Sequence, residues 1–113
     1  MSIVYSEVFP ILAKAVPGFE PDEEDWKEPA EYIFLYDMVK FVCERTPSRS
    51  NTEARALAAL LERLLLEGDR DVRDLVQDGL EHVWDCDTRE FIAKYFGQKT
   101  RELWIQVCQR SPN

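Results

Sequence analysis

Five carboxylates recur at helical spacing in the second half of the chain. Asp71, Asp74, Asp78, Glu81 and Asp85, which we call the acidic ridge, are separated by three, four, three and four residues. At 100° per residue they fall within an arc of about 80°, so a helix here would carry them along one face. Neighbouring like charges on a helix repel by roughly 0.2–0.5 kcal/mol per pair, so the ridge calls for an explanation.

Nearby basic residues and the helix dipole would compensate some of the negative charges of the ridge and not others. Asp71 would lie in the first turn of the helix, where the helix dipole favours an anion. Asp78 and Glu81 have no Lys or Arg three or four residues away, and Asp85 has only Arg89 in reach. Two interpretations remain open: a solvated helix face that aids solubility, or a docking surface for a basic protein.

No catalytic or metal-binding motif accompanies the ridge. The single histidine, His82, lacks the spacing of any zinc motif and is interpreted as a helix-edge residue. The start of the ridge fails as a calcium loop because Arg73 occupies the fifth position and Asp74 the glycine position. The sequence also shows no glycine-rich phosphate loop and no nucleophile elbow. We therefore expect no enzyme activity, no metal and no cofactor.

The three cysteines, Cys43, Cys86 and Cys108, are far apart and odd in number, with no C-x-x-C pair. We expect them to be buried thiols. The start of the chain, residues 1–16, has no basic region of the kind that opens a secretory signal, and no apolar run approaches the ~18–20 residues of a membrane span. The expected compartment is the cytoplasm.

The charge of the chain excludes two classes of partner. The net charge is −8, and the anionic character lies mainly in residues 20–28, with six acids and one lysine, and in residues 67–90, with nine acids and three arginines. Nucleic acids and anionic membranes are bound through clustered Lys and Arg, so we expect neither as a partner. Uneven charge of this kind concerns association more than folding.

The first of these segments is a second candidate contact zone. It contains Asp22, Glu23, Glu24, Asp25 and Trp26 in a loop that begins after Val16-Pro17-Gly18. The aromatic residues of this loop either pin it to the core or, if Trp26 is exposed, provide an aromatic anchor among carboxylates.

Helices must position these residues, because no segment alternates as a β-strand does. The predicted class is all-α: a compact single domain of residues 1–113 with an acidic loop at about 17–28. Five to six helices would pack as antiparallel hairpins in a helical bundle, with a HEAT-like stack as a variant. The predicted helices are about 6–15, 29–45, a third after the capping box of Ser50 and Glu53, the ridge helix after the N-cap Asp69, a short helix after the capping box of Asp87 and Glu90, and about 99–109.

The ridge helix also has an apolar face opposite its acids. Gly79 on this face would allow a neighbouring helix to approach closely. The predicted core-facing stripe is Val72, Leu75, Val76, Leu80 and Val83.

A resemblance to a known group of proteins covers roughly the C-terminal half. It is carried by Leu65-Leu66-Glu67-Gly68-Asp69, Val72, Leu75-Val76 and Gly79-Leu80-Glu81, and by Tyr95-Phe96-Gly97-Gln98-Lys99-Thr100 with Leu103-Trp104. This half resembles small acidic all-helical bacterial proteins of uncharacterised function that are thought to be immunity proteins of polymorphic toxin systems, which act in competition between bacteria. The resemblance implies toxin neutralisation.

The charge pattern is compatible with that implied function. Toxins that attack DNA or RNA carry basic clefts, which an acidic protein can occupy and block without chemistry. The expected partner is a cognate protein toxin with a basic surface, bound by a monomer or weak homodimer of this chain. The alternative is a helical adaptor that binds another cellular protein and has no toxin partner.

Overall fold

Helices form the regular structure of the molecule. The computed structural model describes residues 3, 5–16, 18, 19, 30–47 and 51–110. These residues contain no strand, although Ile3 and Gly68 form an isolated β-bridge. The predicted all-α single domain is therefore confirmed. Its helices within these residues are α1 (Tyr5–Ala15), α2 (Ala30–Arg45), α3 (Thr52–Glu67), α4 (Arg70–Trp84), α5 (Arg89–Ala93) and α6 (Gln98–Arg110).

The helix that carries the ridge, α4, is the centre of the packing. It contacts α2 most extensively and also packs against α3 and α6. From α2, the side chains of Phe34, Leu35 and Met38 are fully buried in the shared core. Neighbours in the chain are thus not the closest neighbours in space, since α2 packs more on α4 than on α3. With α4 held from several sides, only one strip of it faces solvent.

The local signals for α4 were sufficient to predict it. The Asp69 side chain caps the helix by accepting a hydrogen bond from the Val72 amide at 3.0 Å. Gly79 is buried, and a Cβ atom there would lie 2.6 Å from Leu35 Cδ2, so the predicted close approach of a second helix is confirmed. The buried stripe is also as predicted: Val72, Leu75, Val76, Leu80 and Val83.

The junction between α3 and α4 consists of Gly68 and Asp69. The Gly68 amide donates to the Leu64 carbonyl at 2.8 Å, and the Asp69 amide donates to the Ile3 carbonyl at 3.0 Å. Gly68 has an extended backbone (φ −80°, ψ 154°), and an added Cβ would overlap the Leu64 carbonyl oxygen and the Val72 side chain. Glycine is therefore needed here for space rather than for a left-handed backbone.

Two helix starts differ from the predicted capping boxes by one residue. The N-cap of α3 is Asn51, which follows Ser50, and the N-cap of α5 is Thr88, which follows Asp87. Neither side chain caps its own helix. Instead, Asn51 Nδ2 donates to the Tyr95 hydroxyl at 3.0 Å, and Thr88 Oγ1 donates to the carbonyl of Cys43 at 3.3 Å.

The prediction of three buried thiols is wrong, because two of the cysteines are bonded to each other and the third is only half-buried. Cys43 in α2 and Cys86 after α4 form a disulfide bond with Cα atoms 6.1 Å apart, whereas Cys108 is free and half-buried. The bond is formed because α2 and α4 pack together with their C-terminal ends adjacent. It ties together the two helices whose surfaces form the candidate site.

A carboxylate on α3 caps the last helix from outside. Glu62 Oε1 accepts hydrogen bonds from the Thr100 amide at 2.9 Å and the Thr100 hydroxyl at 2.8 Å, and its Oε2 accepts from the Lys99 amide at 3.3 Å. These amides belong to the first turn of α6, whose N–H groups have no partner within the helix. Burial alone would raise the pKa of Glu62, but the hydrogen bonds from Thr100 and Lys99 outweigh it and hold this pKa below its usual value.

Glu62→Gln is expected to lower the free energy of unfolding by about 1 kcal/mol at neutral pH, and Glu62→Ala by about 2 kcal/mol, because charged hydrogen bonds are lost. A carboxylate whose pKa is depressed by folding stabilises above its unfolded pKa, and this stabilisation is lost as the pH falls through the folded pKa. The difference between wild type and Glu62→Gln should therefore shrink below about pH 4. Urea unfolding of the wild type and of Glu62→Gln at several pH values measures this difference in the free energy of unfolding. Glu102→Gln, which removes an exposed carboxylate 3.8 Å from Lys99, is the control and should change little.

Candidate functional site

The acidic ridge lies along the solvent-facing side of α4. Asp71, Asp74 and Glu81 are exposed on the helix, and Asp85 is exposed as its C-cap. Within the part of the chain that the structure describes, none of these four carboxylates forms an ion pair. The spacing thus predicted their common face correctly, and their charge is directed to solvent.

Asp78 differs from the other ridge residues. Its Oδ2 lies 3.2 Å from Nε2 of His82, one turn further along, and the two side chains are 33% and 31% exposed. The prediction that the middle of the ridge has no local partner is therefore wrong for Asp78, because only Lys and Arg were considered as partners. Among the described residues, Glu81 is then the carboxylate at the centre of the ridge that forms no ion pair.

The C-terminal end of the ridge lacks its expected partner. Arg89 was the one cation in reach of Asp85, but its guanidinium donates to the Trp84 carbonyl at 3.1 Å and lies 4.4 Å from the centre of the Trp84 ring. The Trp84 ring in turn packs against Trp104 of α6, with centroids 6.0 Å apart. Arg89 thus closes the end of α4 and leaves Asp85 exposed.

Tyr32 of α2 faces the middle of the ridge. Burial raises the pKa of its hydroxyl, and the negative charges of Asp74, Asp78 and Asp71 raise it further. Those charges also favour a positive group beside them. A cleft of about 240 Å³ is open at this point and is lined by Tyr32, Asp74, Gln77, Asp78 and Glu81.

Large side chains of low polarity border the ridge on the α2 side. Ile33 and Tyr36 are 49% and 44% exposed. The Tyr36 ring meets the His82 imidazole edge to face, with centroids 4.7 Å apart. We call Ile33, Tyr36 and His82 the apolar edge. Together with Tyr32 and Asp78 they line a second cleft, of about 370 Å³.

The apolar edge was not predicted from the sequence. Apolar residues occur on more than one face of α2, and the side with Phe34, Leu35 and Met38 is the buried one. Ile33 and Tyr36 are three residues apart and so share another face. That spacing, with the four-residue spacing of Asp78 and His82, is the signal that could have located the edge.

The two sides of the ridge differ in charge. As far as the described residues go, no Lys or Arg lines either cleft on the α2 side. On the α6 side, Arg73 and Lys99 line a cleft of about 330 Å³ together with Asp74 and Glu102. A cationic ligand would therefore meet unopposed negative charge only on the α2 side.

The second predicted contact zone cannot be placed beside this surface. Asp22, Glu23, Glu24, Asp25 and Trp26 lie outside the described residues. The candidate site accordingly consists of the acidic ridge on α4 and the apolar edge next to it.

The groups available on this surface are carboxylates, aromatic rings and aliphatic side chains. Across the described residues, no three His, Cys, Asp or Glu side chains converge as a metal ion requires. The helices seen there are also too short or too polar to cross a lipid bilayer. The surface combines exposed negative charge with exposed aromatic and aliphatic groups.

Comparison with known proteins gives one family match. A model described as a domain of unknown function (DUF7674) matches residues 9–111, nearly the whole chain and not only its C-terminal half. Neither the curated proteins nor the solved structures contain a match.

Proposed function

This chain belongs to the DUF7674 family, and we propose that it is an immunity protein that binds a cognate antibacterial toxin and blocks the toxin's basic active cleft with the acidic ridge. The observation that carries the proposal is the exposure of Asp71, Asp74, Glu81 and Asp85 on one face without ion-pair partners among the described residues. The resemblance of the C-terminal half to immunity proteins supplies the kind of partner.

The ridge suits this role because its charge is available before contact. Charges that are not neutralised within a molecule attract an oppositely charged partner over about a Debye length and raise the association rate. Repulsion along the ridge is also relieved when cations of a partner lie against it. Binding a basic surface therefore gives these carboxylates the opposite charges that the described residues of the chain do not provide.

The apolar edge favours a protein as the source of those cations. Ile33 and Tyr36 expose large side chains beside the charged face, and interfaces between proteins combine such anchors with a polar surround. A solvated face that only aided solubility would not require them.

The mode of action in this proposal is occlusion without catalysis. The toxin is neutralised in the cytoplasm, where its nucleic-acid target lies, and no cofactor, nucleic acid or membrane takes part. Because immunity requires only that the toxin's cleft be covered, the activity of the complex is expected to follow the occupancy of the ridge.

The proposal is tested by replacing carboxylates of the acidic ridge with uncharged amides. The variant Asp74→Asn, Asp78→Asn, Glu81→Gln should bind the toxin encoded beside this gene roughly 10- to 100-fold more weakly at low salt, with a smaller dependence of affinity on salt. Co-expression with the toxin should no longer protect cells from growth arrest. Calorimetry at two salt concentrations and a growth assay measure these effects, and thermal unfolding should show an intact fold, since these side chains are at least partly solvated.

A matched control removes three other exposed carboxylates, with Glu44→Gln, Asp87→Asn and Glu90→Gln. It changes the net charge equally and should retain affinity and protection. Unchanged affinity of the ridge variant would remove the ridge from the interface. A neighbouring gene of metabolic or ribosomal function, with no toxin bound, would favour the helical adaptor.

A further inference from the structure

The two clefts on the α2 side of the ridge are adjacent, because Tyr32 and Asp78 line both of them. The smaller cleft adds Asp74, Gln77 and Glu81 to this shared wall, and the larger adds the apolar edge. A ligand that entered one cleft would therefore touch the boundary of the other. The two clefts together form a single groove with an anionic half and an apolar half.

The anionic half suits a guanidinium group. Its wall presents three carboxylates and the ring of Tyr32. A guanidinium can form paired hydrogen bonds with a carboxylate while its flat face stacks on an aromatic ring. No cation of the described chain lines this half, so an arriving arginine would have no competitor there.

The apolar half suits a large side chain of low polarity. Ile33 and Tyr36 stand about half exposed on its rim. The His82 ring is held between the Asp78 carboxylate at 3.2 Å and the Tyr36 ring at 4.7 Å, so its orientation is already set. Aromatic groups gain most from pockets whose walls do not have to rearrange.

We propose that this groove selects a partner segment in which an arginine and a large apolar residue are close neighbours, the arginine lying among Asp74, Asp78 and Glu81 and the apolar side chain against Ile33, Tyr36 and His82. This inference rests on the proposed function, because it takes the basic protein bound by the ridge as the source of the segment. The partner is then selected by a large apolar side chain as well as by its positive charge.

Two capped peptides test the groove: acetyl-Gly-Arg-Phe-Arg-Gly-amide and the same peptide with Ala in place of Phe. They are titrated to millimolar concentration into labelled protein, and binding is followed by NMR. The imidazole signals of His82 report on the groove without overlap, since the chain has one histidine. The Phe peptide is expected to shift the His82, Ile33 and Tyr36 signals and to bind about three- to tenfold more tightly than the Ala peptide.

Variants separate the two halves. Tyr36→Ala should abolish the preference for the Phe peptide over the Ala peptide, whereas Tyr36→Phe, which retains the ring, should keep the preference. Asp74→Asn with Glu81→Gln should weaken both peptides by the same factor. Because these side chains are exposed, each variant should fold.

The outcomes distinguish this inference from the proposed function. Equal affinity for the two peptides, or no shift of His82 with either one, overturns the two-part groove and leaves toxin binding by the ridge to its own test. If instead the ridge variant binds the intact toxin normally, the proposed function fails, whatever the peptides do.

Discussion

Removing the disulfide between Cys43 and Cys86 is expected to lower the free energy of unfolding by about 3–4 kcal/mol. The two cysteines are 43 residues apart in sequence. Their bond therefore restricts a long loop of the unfolded chain, and loops of this length give a large reduction in unfolded-state entropy. The loss would be a substantial part of the stability of a domain of 113 residues.

Urea unfolding of wild type with and without a thiol reductant measures this effect, beside the double variant Cys43→Ala and Cys86→Ala. Reductant should lower the wild-type midpoint and leave that of the double variant unchanged. Cys108→Ala is the control, because Cys108 is free, and should retain the response to reductant. If the wild-type midpoint does not change with reductant, and the unfolded protein has three reactive thiols, then no disulfide bond forms in solution.

The same bond bears on the proposed compartment. Cytosolic thiols are kept reduced by glutathione and thioredoxin, so disulfides are rare there. A cytoplasmic immunity protein is therefore expected to hold Cys43 and Cys86 as thiols in the cell and to gain the bond in an oxidising buffer. Alkylation of free thiols at the moment of lysis would decide which form is present.

Gly68→Ala is expected to destabilise the fold by about 3 kcal/mol, at the upper end of the usual cost of overpacking. The added methyl would overlap the Leu64 carbonyl oxygen, which belongs to the backbone of α3, and the fully buried Val72 side chain. Neither can move aside by rotating into solvent. The junction would have to open, which would also disturb the cap that Asp69 provides to α4.

Gly79→Ala provides the comparison, because it adds the same methyl to α4 itself. There the obstacle is the end of the Leu35 side chain, which can change rotamer, and the gain in helix propensity over glycine is about 1 kcal/mol. The net loss at Gly79 should be less than half of that at Gly68 in chemical unfolding. Equal losses would mean that the junction relaxes easily and can make room for a methyl group at residue 68.

Short-range patterns predicted those features of the fold that depend on short-range interactions. The apolar stripe of α4 and the Asp69 cap each depend on residues within a single helix and its cap, and both are confirmed. The N-caps of α3 and α5 lie one residue beyond the predicted ones, and the side chains of these caps, Asn51 and Thr88, hydrogen-bond to Tyr95 and Cys43, which are distant in sequence. A capping motif competes with tertiary partners that the sequence does not show.

The features of the candidate site also fall into two groups: those that short-range patterns predicted and those that depend on tertiary packing. The common face of the ridge followed from helical spacing, and the Asp78–His82 pair could have been found from its four-residue separation. The position of Tyr36 beside His82, 4.7 Å between ring centres, depends on how α2 lies across α4. That arrangement, in which Leu35 lies against Gly79, is a tertiary contact, so the spacing within α2 could indicate that Ile33 and Tyr36 share a face but not that this face lies beside His82.

The attachment of α6 has a consequence for motion. Its buried residues are Thr100 and Val107, and Glu62 caps its start through hydrogen bonds, whereas α4 buries residues along its whole length. Helices held by few buried apolar groups open locally at lower free energy than the core does. Amide hydrogens of α6 should therefore exchange with solvent through local opening of that helix. Those of α4 should exchange only when the whole domain unfolds. The acidic ridge on α4 would then keep its conformation while α6 opens and closes.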